Sequence, residues 1–218
     1  FPDDQAGAYI KLIFPATAEQ PQLMSTYTVR AQREHEIDVD FVLHDDGGPA
    51  SRWASDCQPG DSILVGGPGP RKALHEGPDW YLIAGDMTAL PAISVNLENL
   101  PQEARGVAVL EILDEADIQP LRLPAGIQLI WLVNPHPGSD DHPLVERIRQ
   151  LDWSEGRVQV WAACEFGSMR ALRQFLREER NVARGDLYIS SYWKNGVSED
   201  QHKLAKRADA EQADQPAA

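Results

Sequence analysis

The chain has 218 residues and a formal charge of -14, from 34 acidic and 20 basic side chains. That length can bury a core and hold two small domains, and the charge argues against nucleic acid or an anionic membrane as a partner. No apolar run is long enough to cross a bilayer and no basic-then-apolar leader opens the chain, so the cytoplasm is the expected compartment.

In chain order, Tyr9 to Phe14 alternates apolar and polar residues and reads as a half-buried strand. Leu23 to Arg30 is the next strand, and Ile37 to Leu43 is its expected hairpin partner across Arg33–Glu36. His44 to Gly48 supplies turn chemistry, and Pro49 is suited to a first helical position because its missing N–H would be unpaired there anyway. Ser62 to Val65 adds a strand after a Pro-Gly-Asp turn. Residues 1–75 therefore read as an antiparallel β-barrel domain, and the Pro- and Gly-rich stretch Gly66 to Pro78 as the domain boundary.

Strand and helix then alternate. Strands are expected over Trp80–Ala84, Gly106–Leu113, Ile127–Val133, Val158–Ala162 and Asp186–Tyr192. Helices are expected over Ala89–Asn99, with Thr88 as its cap, over Pro143–Leu151 and over Ser168–Glu179, where Met169, Leu172, Phe175 and Leu176 share one face. This pattern predicts an α/β domain with a parallel sheet over 79–207. Ala208 to Ala218, rich in Ala, Asp, Gln and Pro, reads as a disordered tail.

A strand that turns through glycines into a helix presents backbone N–H groups and a positive dipole end to an anion. The stretch Asp38 to Ala54 has that form. Cys57 and Cys164 show no metal-ligand spacing, and such thin cysteine usage fits a reducing compartment. His136 and His142, with Asp140 and Asp141 between them, lie among Pro and Gly at a spacing that fits no rigid metal site.

The blocks Met24–Arg30, Asp40–Ala54, Gly66–Pro70, Tyr81–Ile93, Val160–Glu165 and Tyr192–Gly196, in that order, resemble the siderophore-interacting proteins. These are FAD-binding ferric-siderophore reductases related to the ferredoxin-NADP reductases. The resemblance implies a two-domain fold, an antiparallel FAD-binding barrel followed by an α/β domain like those that bind NAD(P)H. The segment Phe1–Phe14 resembles a region that follows earlier barrel strands in the family, so a barrel truncated at its N-terminus is expected.

The same resemblance assigns roles. Tyr27 would pack on the flavin ring and Thr28 would hold its ribityl or phosphate oxygens, because a planar ring favours an aromatic face. The family's Arg in this motif is replaced by Ser25, with Arg30 or Arg52 as candidates to compensate. Asp40, Val42, His44, Pro49, Ala50, Ser51 and Trp53 would line the FAD, with backbone amides from Ala50 to Arg52 on the pyrophosphate. Asp86, Thr88 and Ala89 belong to the same cofactor set, and Met87 stands where the family usually has Glu. Gly85, Ala163, Cys164, Glu165 and Trp193 would meet a nicotinamide nucleotide, Cys164 taking the place of a usual Gly.

Lys203, Lys206 and Arg207 would hold an anionic ferric siderophore, with Lys11, Arg30 and Arg71 as further bases. The implied activity passes electrons from NADH, NADPH or ferredoxin through FAD to Fe(III), whose reduction weakens its hold on hard oxygen ligands. No side chain is required as acid, base or nucleophile, no metal site is expected, and a monomer is expected. The alternatives are a siderophore-binding module without efficient reductase activity and a general flavin reductase.

Overall fold

The computed structural model describes residues 1–16, 21–43 and 48–213. Contacts gather the chain into two compact units, one of Phe1–Ala73 with Pro91–Asn99, the other of Leu74–Leu90 with Leu100–Ala218.

The first unit carries strands β1 (Tyr9–Phe14), β2 (Leu23–Thr28), β3 (Ala31–Arg33) and β4 (Glu36–Asp38), helix α1 (Pro49–Asp56) and strand β5 (Leu64–Gly69). β1 is central, antiparallel to both β2 and β5. Its alternation turns Ile10 and Leu12 inward, where they meet the buried Val29 and the half-buried Tyr27, Ile37 and Phe41. This is the period-2 pattern expected of a sheet with one covered face.

The expected hairpin between Leu23–Arg30 and Ile37–Leu43 is corrected. β2 pairs with β1, Tyr9 opposite Thr28 and Phe14 opposite Leu23. The chain then breaks, and β4 pairs with the three-residue β3 instead. The cause is local: the Arg33 guanidinium binds both Asp38 and Glu36 across the tight turn, which pins the short hairpin. Val39 to Leu43 is not in a strand.

The second unit carries β6 (Trp80–Gly85), the start of α2 (Leu90–Glu98), β7 (Arg105–Ile112), β8 (Gly126–Val133), α3 (Pro143–Arg149), β9 (Val158–Glu165), α4 (Phe166–Gln174), β10 (Leu187–Trp193) and α5 (Glu199–Ala213). Its sheet is wholly parallel in the order β10-β9-β6-β7-β8. Every residue of β6 and β9 is buried, which explains their near-continuous apolar runs. Leu82, Ala84, Val109, Val160, Ala162 and Cys164 share one core with Leu144, Ile148, Met169, Leu172, Phe175 and Leu176 from α3, α4 and the turn that follows it.

Three further differences from the sequence expectations have physical reasons. The helix begun at Phe166 widens into a π turn over Phe175–Glu179. The body of α2 belongs to the first unit, where Gly7 at φ 82 leaves only 3.0 Å between a would-be Cβ and Val95 Cγ1. The tail expected to be disordered from Ala208 is helical as far as Ala213, because the buried Asp209 is held by Arg173 through hydrogen bonds of 2.7 and 2.8 Å.

Candidate functional site

In the first unit, Tyr27 is half-buried on β2, its ring centroid 4.5 Å from that of Phe41, which lies 6.2 Å from the ring of Trp53 on α1. The three rings form one row, so Trp53 serves packing and Tyr27 keeps part of its surface open. Phe41 was not among the expected site residues; its segment is not a strand, and only the folded chain brings its ring to Tyr27. Thr28 is half-buried beside it and Val42 half-buried, while Asp40 is exposed. His44 lies outside the described residues.

Helix α1 opens at Gly48 in extended conformation with Pro49 in the first turn, and no side chain caps it among the described residues. The first intrahelical donor is Arg52, whose amide reaches the Gly48 carbonyl at 3.1 Å. The amides of Ala50 and Ser51 precede it, the orphan donors every helix leaves at its start. A half-buried aromatic and a helix start that no side chain caps among the described residues lie in the same unit, and a ring with backbone amides suits an isoalloxazine and a pyrophosphate, so these residues fit FAD. Of the bases considered as replacements for the missing arginine at Ser25, Arg30 is engaged by Glu98 at 2.7 and 3.1 Å.

The second unit builds its polar groups at the carboxyl ends of the strands. Strand order reverses between β6 and β9, the switch point where α/β sheets of this kind bind ligands. Gly85 ends β6 beside Ala163 of β9. Asp86 follows, buried to 6% exposure, and accepts hydrogen bonds from the Thr88 hydroxyl (2.5 Å), the Thr88 amide (3.0 Å) and the Trp193 indole (2.8 Å). Asp86, not Thr88, therefore closes the turn into α2, its carbonyl also accepting the Ala89 amide at 3.0 Å. Burial pushes the Asp86 carboxyl above its ordinary range, against the pull of those donors.

Glu165 ends β9 and plays the matching part for α4. Its carboxylate accepts the backbone amides of Gly167 and Ser168, the latter at 3.2 Å, and its second oxygen accepts the Asn195 amide at 3.2 Å. Cys164 points into the core, and burial pushes its thiol well up, with Asp86, Glu111 and Glu165 adding to the effect. Both cysteines are unpaired.

Glu111, which sequence reasoning missed, lies at the end of β7 at 8% exposure, its carboxyl pushed up to about 7 by burial, with Asp86 adding repulsion. A charged residue set inside an otherwise apolar run, Val107 to Ile112, was the signal that could have found it. Among the described residues no group of three His, Cys, Asp or Glu could hold a metal. His142 instead starts α3 at φ 45, its Nδ1 3.2 Å from the Ser168 hydroxyl.

The tail bases differ in their surroundings. Lys203 is paired on its own helix with Glu199 and Asp200. Lys206 donates to the Ser190 hydroxyl at 2.6 Å and the Ser191 carbonyl at 2.9 Å, tying α5 to β10. The buried His202 reinforces that seat, its Nε2 2.8 Å from the Ser191 hydroxyl, with burial and then Lys206 pushing its pKa down. Arg207 is exposed.

An antiparallel sheet followed by a five-stranded parallel sheet is the fold of the ferredoxin-NADP reductases. The enzyme of that class from Neisseria gonorrhoeae, bound to FAD and NADP, superposes with a TM-score of 0.59 at 13% identity, covering 90% of each chain, which speaks to fold alone. Residues 78–196 match the siderophore-interacting protein model and residues 16–72 the siderophore-interacting FAD-binding domain. The chain belongs to the siderophore-interacting protein family. It is 35% identical to ferric vibriobactin reductase ViuB of Vibrio cholerae over 92% of this chain and 81% of that protein. The crystal structure of the siderophore-interacting protein SipS from Aeromonas hydrophila matches with a TM-score of 0.82 at 37% identity, over 94% of this chain and 86% of that one.

Proposed function

We propose that this protein is an FAD-dependent ferric-siderophore reductase that takes electrons from NADH, NADPH or ferredoxin and delivers them to chelated Fe(III). The observation that carries this reading is the presence, inside the match to the FAD-binding domain, of the half-buried Tyr27 and a helix start that no side chain caps among the described residues. Family membership and the likeness to a ferric vibriobactin reductase supply the acceptor class.

FAD, when bound, supplies the step between two-electron donors and single-electron acceptance by Fe(III). Tyr27 offers it a ring and Thr28 a hydroxyl, with Asp40 and Val42 beside them, while Trp53 supports that edge by packing on Phe41. The amides beyond Pro49, from Ala50 and Ser51, which have no side-chain cap among the described residues, are offered to the pyrophosphate. Asp86, Thr88 and Ala89, on their turn in the second unit, belong to the cofactor set that the family resemblance assigns. Gly85, Ala163, Cys164, Glu165 and Trp193 border a nicotinamide nucleotide, Cys164 through its backbone. Lys203, Lys206 and Arg207 attract the anionic chelate, the protein acting as a cytoplasmic monomer. No residue transfers a proton in this scheme, and the chain's work is to place donor and acceptor.

The test is flavin retention. Purified protein should show a flavin spectrum, and Tyr27→Ala should weaken FAD binding by about thirtyfold, from a lost ring contact and its apolar area. Tyr27→Phe should bind nearly as wild type. A colourless protein that takes up no added FAD, yet quenches with a ferric catecholate, would replace the enzyme by a siderophore-binding module. An equal loss of activity toward ferricyanide and ferric chelates on neutralising Lys203 and Lys206 would instead favour a general flavin reductase.

A further inference from the structure

The lysines that follow β9 in the second unit are engaged by the fold to different degrees. Lys203 is paired with Glu199 and Asp200, and Lys206 donates to Ser190 and Ser191. Lys194, the residue after β10, is half-buried and forms no ion pair among the described residues. Its ammonium lies 4.7 Å from the centroid of the Phe166 ring, a contact that holds a cation without neutralising it. The chain on either side is fixed as well. The Trp193 indole donates to Asp86 at 2.8 Å, and Asn195 gives its amide to Glu165 and its side chain to the Gly138 carbonyl, both at 3.2 Å.

Phe166 also connects Lys194 to α5. Its ring meets that of His202 edge-on, with centroids 6.3 Å apart, and His202 stands one turn before Lys206. Burial pushes the His202 pKa down, Lys206 and Lys194 push it the same way, and Glu199 and Glu165 pull it up. Those two acids are engaged elsewhere: Glu165 accepts the Gly167, Ser168 and Asn195 amides, and Glu199 pairs with Lys203. In a chain with 34 acids against 20 bases, a cation held beside α5 without a counter-ion is placed for an anion from outside. We propose that Lys194 is a substrate-binding residue, a fixed base that takes anionic oxygens of the ferric chelate alongside the bases of α5. The proposal rests on the reading that α5 attracts a ferric siderophore. It adds a residue of that site and the charge class it selects, multiply anionic chelates of the catecholate type over neutral ones of the hydroxamate type. Because Lys194 is already held on both sides, contact with the ligand orders little that was free.

The experiment compares ferric tris-catecholate, a multiply charged anion, with a neutral ferric tris-hydroxamate on the flavin-loaded full chain. Lys194→Gln should raise KM for the catecholate about tenfold, the size of one lost charge-assisted contact, with kcat near wild type. KM for the hydroxamate, for NADH and for NADPH should stay within about twofold. Lys194→Arg keeps the charge and should return the catecholate KM to within about threefold of wild type. Added salt should shrink the effect of Lys194→Gln on the catecholate. Without turnover, quenching of tryptophan fluorescence by the ferric catecholate should show the same loss of affinity.

An equal loss for both chelates overturns the proposal, since the contact is then not ionic. So does a raised KM for both nucleotides with the catecholate unmoved, which gives Lys194 to a phosphate of the electron donor. No change in any constant, in a variant with the wild-type melting temperature, leaves the ammonium as a packing contact on Phe166 and overturns the proposal as well. Should Lys194→Gln prove unstable, Lys194→Met keeps an apolar stem against Phe166 and is read in the same way. These outcomes leave the siderophore reading intact, whereas wild type that neither reduces nor binds the catecholate overturns that reading and the proposal together.

Discussion

Helix α1 and helix α4 begin in opposite ways, and the contrast separates what each unit is prepared to hold. α1 follows a glycine and a proline, residues that bring no side-chain acceptor, so its first amides have no side-chain partner among the described residues. α4 follows Glu165, whose two oxygens collect three backbone amides from two segments. The same physics serves both, since four N–H groups at each helix start need acceptors. Among the described residues no side chain meets that need at the first start, whereas Glu165 meets it at the second.

The sharpest way to break the contrast is to empty the α4 start. Glu165→Ala leaves the Gly167, Ser168 and Asn195 amides without their acceptor, and hydrogen bonds to a charged group together with a helix cap put the loss at about 3 kcal/mol. Urea unfolding should show that loss, and phosphate should restore part of it in the variant but not in wild type. Equal stability of variant and wild type would mean that the carboxylate is no cap, and α4 would then rank with α1 as an open site.

A second prediction concerns the cost of gathering carboxyls at one sheet edge. Glu111 has its pKa raised to about 7 by burial, with Asp86 adding, above the ordinary glutamate value of about 4.3. The folded state therefore holds this proton more tightly than the unfolded state. The stability it contributes is complete below the unfolded pKa and is lost as pH rises through 7. Unfolding free energy should fall by on the order of 2 kcal/mol from this group between about pH 4.5 and 7.5. Glu111→Gln should flatten that part of the profile. An unchanged slope in the variant would assign the pH dependence to other groups.

How much of this was visible in the sequence depends on the range of the forces involved. The five parallel strands were legible because a strand buried on both faces must be apolar almost throughout, as Trp80–Gly85 and Val158–Glu165 are. The pairing of β2 with β1 was not, since apolar segments flank Leu23–Thr28 at similar separations on both sides and the local pattern does not choose between them, while the Arg33 clamp on Asp38 is a three-dimensional contact. Tyr27, Thr28 and the α1 start came from motif resemblance and glycine-proline chemistry. The capping roles of Asp86 and Glu165 were hidden, because an acid after a strand looks the same whether it faces a ligand or the next helix. Asp209 was hidden for a related reason: composition suggested a disordered tail, and only its seat beside Arg173 explains the helix.

The smallest expected effect lies on the open side of the comparison. Ser25 shares its face of β2 with Tyr27, two residues along the strand, and occupies the position of the family's arginine. Arg30 is held by Glu98, so it is not available to replace that base. Ser25→Arg should then add one charge-assisted contact to the pyrophosphate, about 1.5 kcal/mol or roughly tenfold in FAD affinity. The gain should shrink as salt is raised, because the contact is ionic and partly exposed, and it should be absent for riboflavin, which carries no phosphate. An equal gain for riboflavin would place the new side chain on the ring, and no gain for either would mean that the α1 amides already satisfy the pyrophosphate by themselves. In the last case the open helix start, not a basic residue, would be the whole phosphate site of the first unit, which is the strongest form the contrast with α4 can take.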